Sequence, residues 1–355
     1  MKKTKERTQR VTDKKKLFCA VDLHGDNGFY CVIDEQDQRV FEKRLPNDLK
    51  KVLAALEPYR EGLAKGVAVE STFNWYWLVD GLQEAGYAVQ LVNTTAVQTY
   101  SGLKNSNDQT DAFWLAHLQR LNILPTGYIY PVAQRGARDL LRRRMMLVQQ
   151  RTAHLLSFKC LIERETGEGM ASSKIRTLEP EEVAQWVESP EAVLMGQTNV
   201  RVMEFLNEQI RRLEKAAEAK LQVQPDYERL QQIPGLGRIL NLVIMLETGP
   251  IERFASAGNY VSYCRAVQAQ KLSNERKKGE NNRKCGNKYL AWAWVEVAHF
   301  AICYSPQIKR WYQRKLQRCG HLTVLARKAV AAKLAKAAYY MLKKKEAFKM
   351  EEVFG

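Results

Sequence analysis

Apolar positions change their spacing along the chain. Between Leu17 and Leu121 short apolar runs alternate with longer amphipathic stretches. "LFCAVDLHG" is an apolar run that ends in an acid and a glycine, "FYCVID" follows closely, and "QRVFEKRL" predicts a third strand. Such tight spacing predicts a β-meander. "DLKKVLAALEPYR" has helical periodicity, "GVAVES" is a buried strand, and "NWYWLVDGLQEAG" is a helix closed by Gly86. "YAVQLVN" predicts another strand and "NDQTDAFWLAHLQRL" another helix. Three adjacent strands followed by strands alternating with helices is the order of a ribonuclease H-like domain.

Beyond residue 131 the period becomes helical. "RGARDLLRRRMMLVQQRTAHLLSFKCLIERE" is a long basic amphipathic helix. A second helix, "VRVMEFLNEQIRRLEKAAEAKLQ", places Leu206, Ile210, Leu213, Ala217 and Leu221 at steps of four, three, four and four. That is a heptad-like pattern and predicts a coiled-coil arm, either folded back on itself or used for dimerisation. The Gly- and Pro-broken stretch between the two helices predicts a flexible tip. From residue 226 the chain reads as helical and basic. "LQQIPGLGRILNLVIMLETG" resembles a helix–hairpin–helix whose Gly-x-Gly turn would aim amides at a phosphate, or is a plain helical turn. The expected organisation is a basic arm over 1–16, an α/β domain over 17–131, a helical arm over 132–225 and a mainly helical domain over 226–350.

Charge narrows the class. A formal net charge of +17 in 355 residues predicts a polyanionic partner, most often nucleic acid. An apolar content of 45% excludes a disordered chain. Seven cysteines without CxxC spacing read neither as a disulfide framework nor as a zinc site, so a reducing cytosol is expected. No apolar stretch is long enough to span a membrane, and the basic N-terminus lacks the apolar core of a secretory signal.

Four acids stand out. Asp22 ends the first strand, Glu70 ends "GVAVE", and Asp108 and Asp111 share a helix face three residues apart. Strand ends in such sheets point at one crevice. Carboxylates gathered there need a cation, and hard oxygen donors select Mg²⁺ or Mn²⁺. Taken singly each acid has a plainer reading: Asp22 as a turn former, Glu70 as a surface carboxylate, Asp108 as a helix cap and Asp111 as a residue favoured by the helix dipole. The stretch "KLSNERKKGENNRKCGN" holds Ser273 among Lys271, Arg276, Lys277, Lys278, Arg283 and Lys284, with Lys288 just beyond. Alone it reads as a basic loop.

With "AVDLH", "VAVEST", "NDQTDA", "IPGLG", "RFASAGNYVSYC" and the segment from "LSNERKKG" to "RKCGNKYL", the chain resembles the transposases of bacterial insertion sequences that pair a RuvC-like DEDD domain with a C-terminal serine domain, understood as bridge-RNA-guided recombinases. The resemblance runs from about residue 17 to residue 345. It implies a RuvC-like mixed sheet with helices, a helical coiled-coil arm and a helical transposase domain. It implies Asp22, Glu70, Asp108 and Asp111 as metal ligands and Ser273 as a nucleophile forming a 5′-phosphoserine link. It further implies donor and target double-stranded DNA, a structured noncoding guide RNA, a homodimer or homotetramer, and a nucleoid-associated bacterial cytoplasmic location. Departures are visible, among them the following. Asn274 and Glu275 stand where the family keeps glycine or serine, "RKCG" replaces a Ser-Lys-x-Gly, and Glu70-Ser71-Thr72-Phe73 replaces a Glu-Ala-Thr-Gly. Two rival readings keep part of this picture: a RuvC-like nuclease or junction resolvase without a serine role, and a non-catalytic nucleic-acid-binding protein.

Overall fold

The computed structural model describes residues 16–98, 108–219, 225–267, 270–273, 276–280 and 285–355, with only the backbone given for 108–109, 270–273 and 277–280. The chain divides between Ile129 and Tyr130 into two compact units.

In the first unit β1 (Leu17–Leu23), β2 (Asn27–Ile33) and β3 (Arg39–Pro46) form the expected antiparallel meander. After α1 (Leu49–Leu56), β4 (Leu63–Glu70) joins parallel to β1. After α2 (Tyr76–Glu84), β5 (Val89–Val92) joins parallel to β4. The sheet order β3-β2-β1-β4-β5 is the mixed sheet expected from the sequence. Its parallel centre is buried on both faces, which is why β1 and β4 read as unbroken apolar runs. Cys19, Val21, Leu23, Val67 and Val69 face a core built with Val52 and Leu56 of α1 and Leu78 and Leu82 of α2. Phe18, Ala20 and Ala68 face the other way, toward Ala112, Leu115 and Ala116 of α4 (Asp108–Arg120); the short α3 (Thr94–Val97) precedes it. Ala20 and Ala68 are direct register partners. Alanine on both sheet and helix lets α4 lie close on the strands.

The second unit begins with α5 (Val132–Thr166), which pairs with α7 (Pro190–Ala219). The contacts Arg144–Glu214, Arg151–Asn207 and His154–Asn199 run in opposite senses along the two helices, so the pair is an antiparallel hairpin within one chain. Leu206, Ile210 and Ala217 of the heptad-like stripe are buried. The segment expected to be flexible is instead packed. It carries α6 (Ser172–Ile175) and a 3₁₀ turn over Pro180–Gln185, and it buries Met170, Ile175, Leu178, Val183 and Val187 against Phe158 and Val200. Its apolar residues follow no single period, so Gly and Pro dominated the reading of the sequence.

The remaining chain folds into one helical core from α8 (Pro225–Gln231), α9 (Arg238–Thr248), α10 (Ala257–Tyr263), α11 (Lys288–Tyr304), α12 (Pro306–Arg318), α13 (Thr323–Lys344) and α14 (Met350–Phe354). Between α10 and α11, β6 (Gln270–Ser273) and β7 (Arg276–Glu280) form a two-stranded ladder. All seven cysteines are free thiols. Among the described residues no helix is long and apolar enough to cross a membrane.

Candidate functional site

Three constraints bear on where the predicted acids stand relative to the carboxyl edge of the first sheet. The parallel register pairs Ala20 with Ala68 and Val21 with Val69. Continued one residue past Val21–Val69, that register would set Asp22 beside Glu70, on neighbouring strands about 4.8 Å apart. Side chains alternate along a strand, so Asp22 points to the same face as Phe18 and Ala20, and Glu70 to that of Ala68. This is the face that α4 covers.

The third constraint is the direction of α4. Its buried Gln119 accepts a hydrogen bond from the Cys19 amide at 3.1 Å. The same side chain donates to Gly66 O at 3.3 Å and Gln90 Oε1 at 3.1 Å. The C-terminal end of α4 is therefore fixed at the start of β1 and β4, and its N-terminal end points to their carboxyl ends. From Gln119 back to Asp111 is about 12 Å of helix, and from Cys19 to Asp22 about 10 Å of strand. Asp111, Ala112, Leu115 and Gln119 lie on one helical stripe, so Asp111 stands toward the N-terminal end of the face that packs on the sheet. Arg120 and His117 bond Asp37 at 2.6 Å and 2.9 Å and hold the last turn of α4 to the β2–β3 turn.

Asp22 is buried, with His24 Nε2 3.5 Å from its Oδ2. The loops beside it are braced. Asn74 Nδ2 donates to His24 O at 2.8 Å, and Asn47 Nδ2 donates to His24 O at 3.2 Å and Gly25 O at 3.0 Å. Oxygen donors of this kind suit Mg²⁺ or Mn²⁺. Among the described residues, no three acid, histidine or cysteine side chains stand close enough to hold an ion, and the Asp108 side chain lies outside them.

In the second unit, Ser273 ends β6 and pairs with Arg276 at the start of β7. Lys271 faces Gly279 and Leu272 faces Lys277, across a register shift. Lys278 is in β7, Arg276 is exposed, and exposed Lys288 opens α11 with its Nζ 5.1 Å from the Tyr289 ring. Arg283, Lys284, Asn274 and Glu275 lie outside the described residues. The stretch that read as a basic loop thus carries a β-ladder. The residues QKLS and RKKGE are too polar to show an apolar–polar alternation.

The ends of this segment are tied together. Arg265, in the left-handed region at φ 53°, donates to Cys285 O and Gly286 O, each at 2.9 Å. Asn287 donates its amide to Tyr263 O at 2.6 Å and caps α11 by accepting from the Tyr289 and Leu290 amides. Its Nδ2 donates to buried Glu247 Oε2 at 2.7 Å. Glu247 also accepts from Arg138 at 3.2 Å and from Arg142 at 2.5 and 2.8 Å. Burial alone would raise the Glu247 carboxyl, but the Arg142 hydrogen bonds, the charges of Arg138 and Arg142 and the Asn287 bond hold it below the usual carboxylate range. One carboxylate therefore links α5, α9 and the exit of the Ser273 segment. Sequence reading missed it, because a single glutamate in an apolar helix carries no spacing signal.

The Gly-x-Gly turn differs from the phosphate-cradle expectation in a specific way. A Cβ at Gly235, φ 81°, would stand 2.4 Å from the Ala301 amide nitrogen, so this glycine serves close packing on α11. The Leu236 and Gly237 amides are taken up within the turn by Ile233 O and Gly235 O. A second feature was also missed. No acid occurs between Glu296 and Glu346. On α12 this leaves exposed Lys309, Arg310, Gln313, Arg314, Gln317 and Arg318 in two rows of four-residue steps.

A sequence model for DEDD transposases of the IS110 type, described as a transposase, matches residues 19–164, the region holding all four acids. A model for the transposase IS116/IS110/IS902 family matches residues 227–313, which include the glycine turn and Ser273. The chain is similar to the transposase for insertion sequence element IS1111A of Coxiella burnetii (strain RSA 493 / Nine Mile phase I). The two are 24% identical over 327 residues, which cover 89% of this chain and 86% of that protein. With both halves of the chain matched to the same kind of protein, and with the mixed sheet in place, the chain belongs to the IS110 family of insertion-sequence transposases.

Proposed function

We propose that this transposase cuts and rejoins DNA strands with Ser273 as nucleophile and the Asp22, Glu70, Asp108 and Asp111 carboxylates as a Mg²⁺ (or Mn²⁺) site. The observation that supports the reading is the parallel β1–β4 register through Val21–Val69, which ends one residue short of Asp22 and Glu70 on the face that α4 covers. A bound ion there would supply charge neutralisation at a scissile phosphate. Asp22 and Glu70 would be fixed donors from rigid strands, and Asp108 and Asp111 would complete the set from the helix.

In the proposed chemistry the Ser273 Oγ–P bond forms as the P–O3′ bond breaks. The serine proton passes to a base, and the 3′ oxygen leaves with a proton. The phosphoserine ester conserves the phosphodiester bond, so rejoining is the same step reversed with a different 3′-hydroxyl and needs no ATP. Arg276 and its lysine neighbours would offset phosphate charge. A structured guide RNA would select donor and target duplexes by base pairing, while the basic protein contacts backbone. The antiparallel α5–α7 hairpin would serve as the coiled-coil arm that joins protomers into a dimer or tetramer.

The test is to incubate the full chain with Mg²⁺, its element-end DNA and its cognate noncoding RNA, and to resolve products on a denaturing gel. The expected result is a covalent protein–DNA adduct that Ser273→Ala and Asp22→Asn each abolish. Cleavage that survives Ser273→Ala without an adduct would leave a metal-dependent nuclease instead. Equal Mg²⁺ binding by wild type and Asp22→Asn in calorimetry would remove the metal site.

A further inference from the structure

Phe73 is 88% exposed, more than any other large apolar side chain among the described residues. Its exposure is not that of a loose loop. Thr72 donates its amide to Glu70 O at 2.9 Å and its hydroxyl to Asn74 Oδ1 at 2.8 Å. Asn74 in turn holds the loop that follows β1 through His24 O at 2.8 Å. Both neighbours of Phe73 are thus fixed, and the ring is held in water by a braced backbone. Its position is equally defined. It stands three residues beyond Glu70, and a Cβ placed on Gly25 would be 3.8 Å from Phe73 Cζ. Gly25 lies three residues beyond Asp22. The ring therefore reaches from the loop after one acid to the loop after the other, and most of its surface stays open.

A single exposed apolar side chain is common on its own, but covering this ring would remove apolar surface from water, and its braced place beside both acid-bearing strand ends is what limits the occupant. Occupants for this place are limited by its setting. The carboxyl edge is where the proposed function puts a scissile phosphate, and the group next to a phosphate that stacks on an aromatic ring is a nucleobase. A paired base has both faces covered by its neighbours and cannot reach the ring, so the base must be unpaired. We infer that Phe73 is a stacking platform for an unpaired DNA base adjacent to the phosphate at the Asp22–Glu70 edge. Phe73 is thus a positioning residue of that site: it holds the strand while the phosphodiester bond is exchanged. The inference rests on the DNA-processing reading above.

The experiment uses the full chain and a short oligodeoxynucleotide carrying one 5-iodouracil, either unpaired or within a duplex. Ultraviolet cross-linking mapped by mass spectrometry should join the unpaired base to Phe73 and give no such link from the paired one. By fluorescence anisotropy, Phe73→Leu should weaken binding of the unpaired strand roughly 5- to 150-fold, and Phe73→Trp should restore it. The salt dependence of binding should be the same in all three proteins, since stacking releases no counterions. Equal affinity of Phe73→Leu and wild type, with cross-links mapping elsewhere, overturns the inference. So does a change in sedimentation coefficient of Phe73→Leu with unaltered DNA affinity, which would make the ring a protein contact. A wild type that binds and cleaves DNA while Phe73→Leu does both equally well sinks this inference alone. A wild type that binds no DNA sinks it together with the proposed function.

Discussion

Glu247 is the residue whose loss the second unit should tolerate least. Its carboxylate is almost fully enclosed and receives Arg138, Arg142 and Asn287. Arg138 is itself 9% exposed at its side chain, so it cannot turn to water when its partner goes, whereas Arg142 at 29% can do so in part. Removing one member of a buried ion pair costs about 3–5 kcal/mol, because the other charge is left uncompensated. Glu247→Met should therefore destabilise the unit by that amount. For a unit of this size that is a fall in Tm of roughly 6–20 °C. Exchanging both charges for apolar groups of similar volume is often close to neutral. The double variant Arg138→Met with Glu247→Met should thus recover much of the loss. The same carboxylate sets an acid limit. Its folded-state pKa lies below its unfolded value. Its contribution is complete above the unfolded carboxylate pKa of about 4.3 and disappears as pH falls through the lower, folded value. Urea unfolding followed by circular dichroism at neutral pH, and again below pH about 4, would measure both effects. The reasoning fails if Glu247→Met costs under about 1 kcal/mol, or if the double variant is as unstable as the sum of the single ones.

Three further outcomes follow from the geometry. Gln119→Leu leaves the Cys19 amide without its buried acceptor, so it should cost about 1–3 kcal/mol; it should also lower Mg²⁺ affinity in calorimetry, because α4 loses the bond that sets its position. Replacing Arg310, Arg314 and Arg318 of α12 together by Gln should reduce the slope of log affinity against log salt for duplex DNA by about 2–3, without altering thermal stability. Gly235→Ala requires a left-handed backbone and places a Cβ against the Ala301 nitrogen, so it should cost more than about 3 kcal/mol and show mostly as aggregated protein on expression.

What could be read from the sequence depended on whether a residue took part in a periodic pattern. β1 and β4 were readable because both of their faces are buried, and α4 because its apolar stripe begins at the acids that also mark the candidate metal site. The acids stand out only as a group, since each taken singly is an ordinary turn, surface or cap residue. Ser273 stands out through a resemblance and not through its neighbours, because QKLS and RKKGE hold too few apolar residues to show a strand period. The residues that fix the frame around these groups left no trace at all. Gln119, Asn287 and Glu247 act by joining segments 24 to 109 residues apart, through hydrogen bonds to backbone or side-chain atoms. Phe73 shows the same limit from the other side. In the sequence it is one more aromatic beside Trp75, Tyr76 and Trp77, of which Trp75 and Trp77 pack against the sheet core. Only its exposure, on a loop held by Thr72 and Asn74, separates it from them. Chemistry-bearing residue types are thus recoverable from order along the chain, whereas the bonds that orient them depend on contacts that only the folded chain creates.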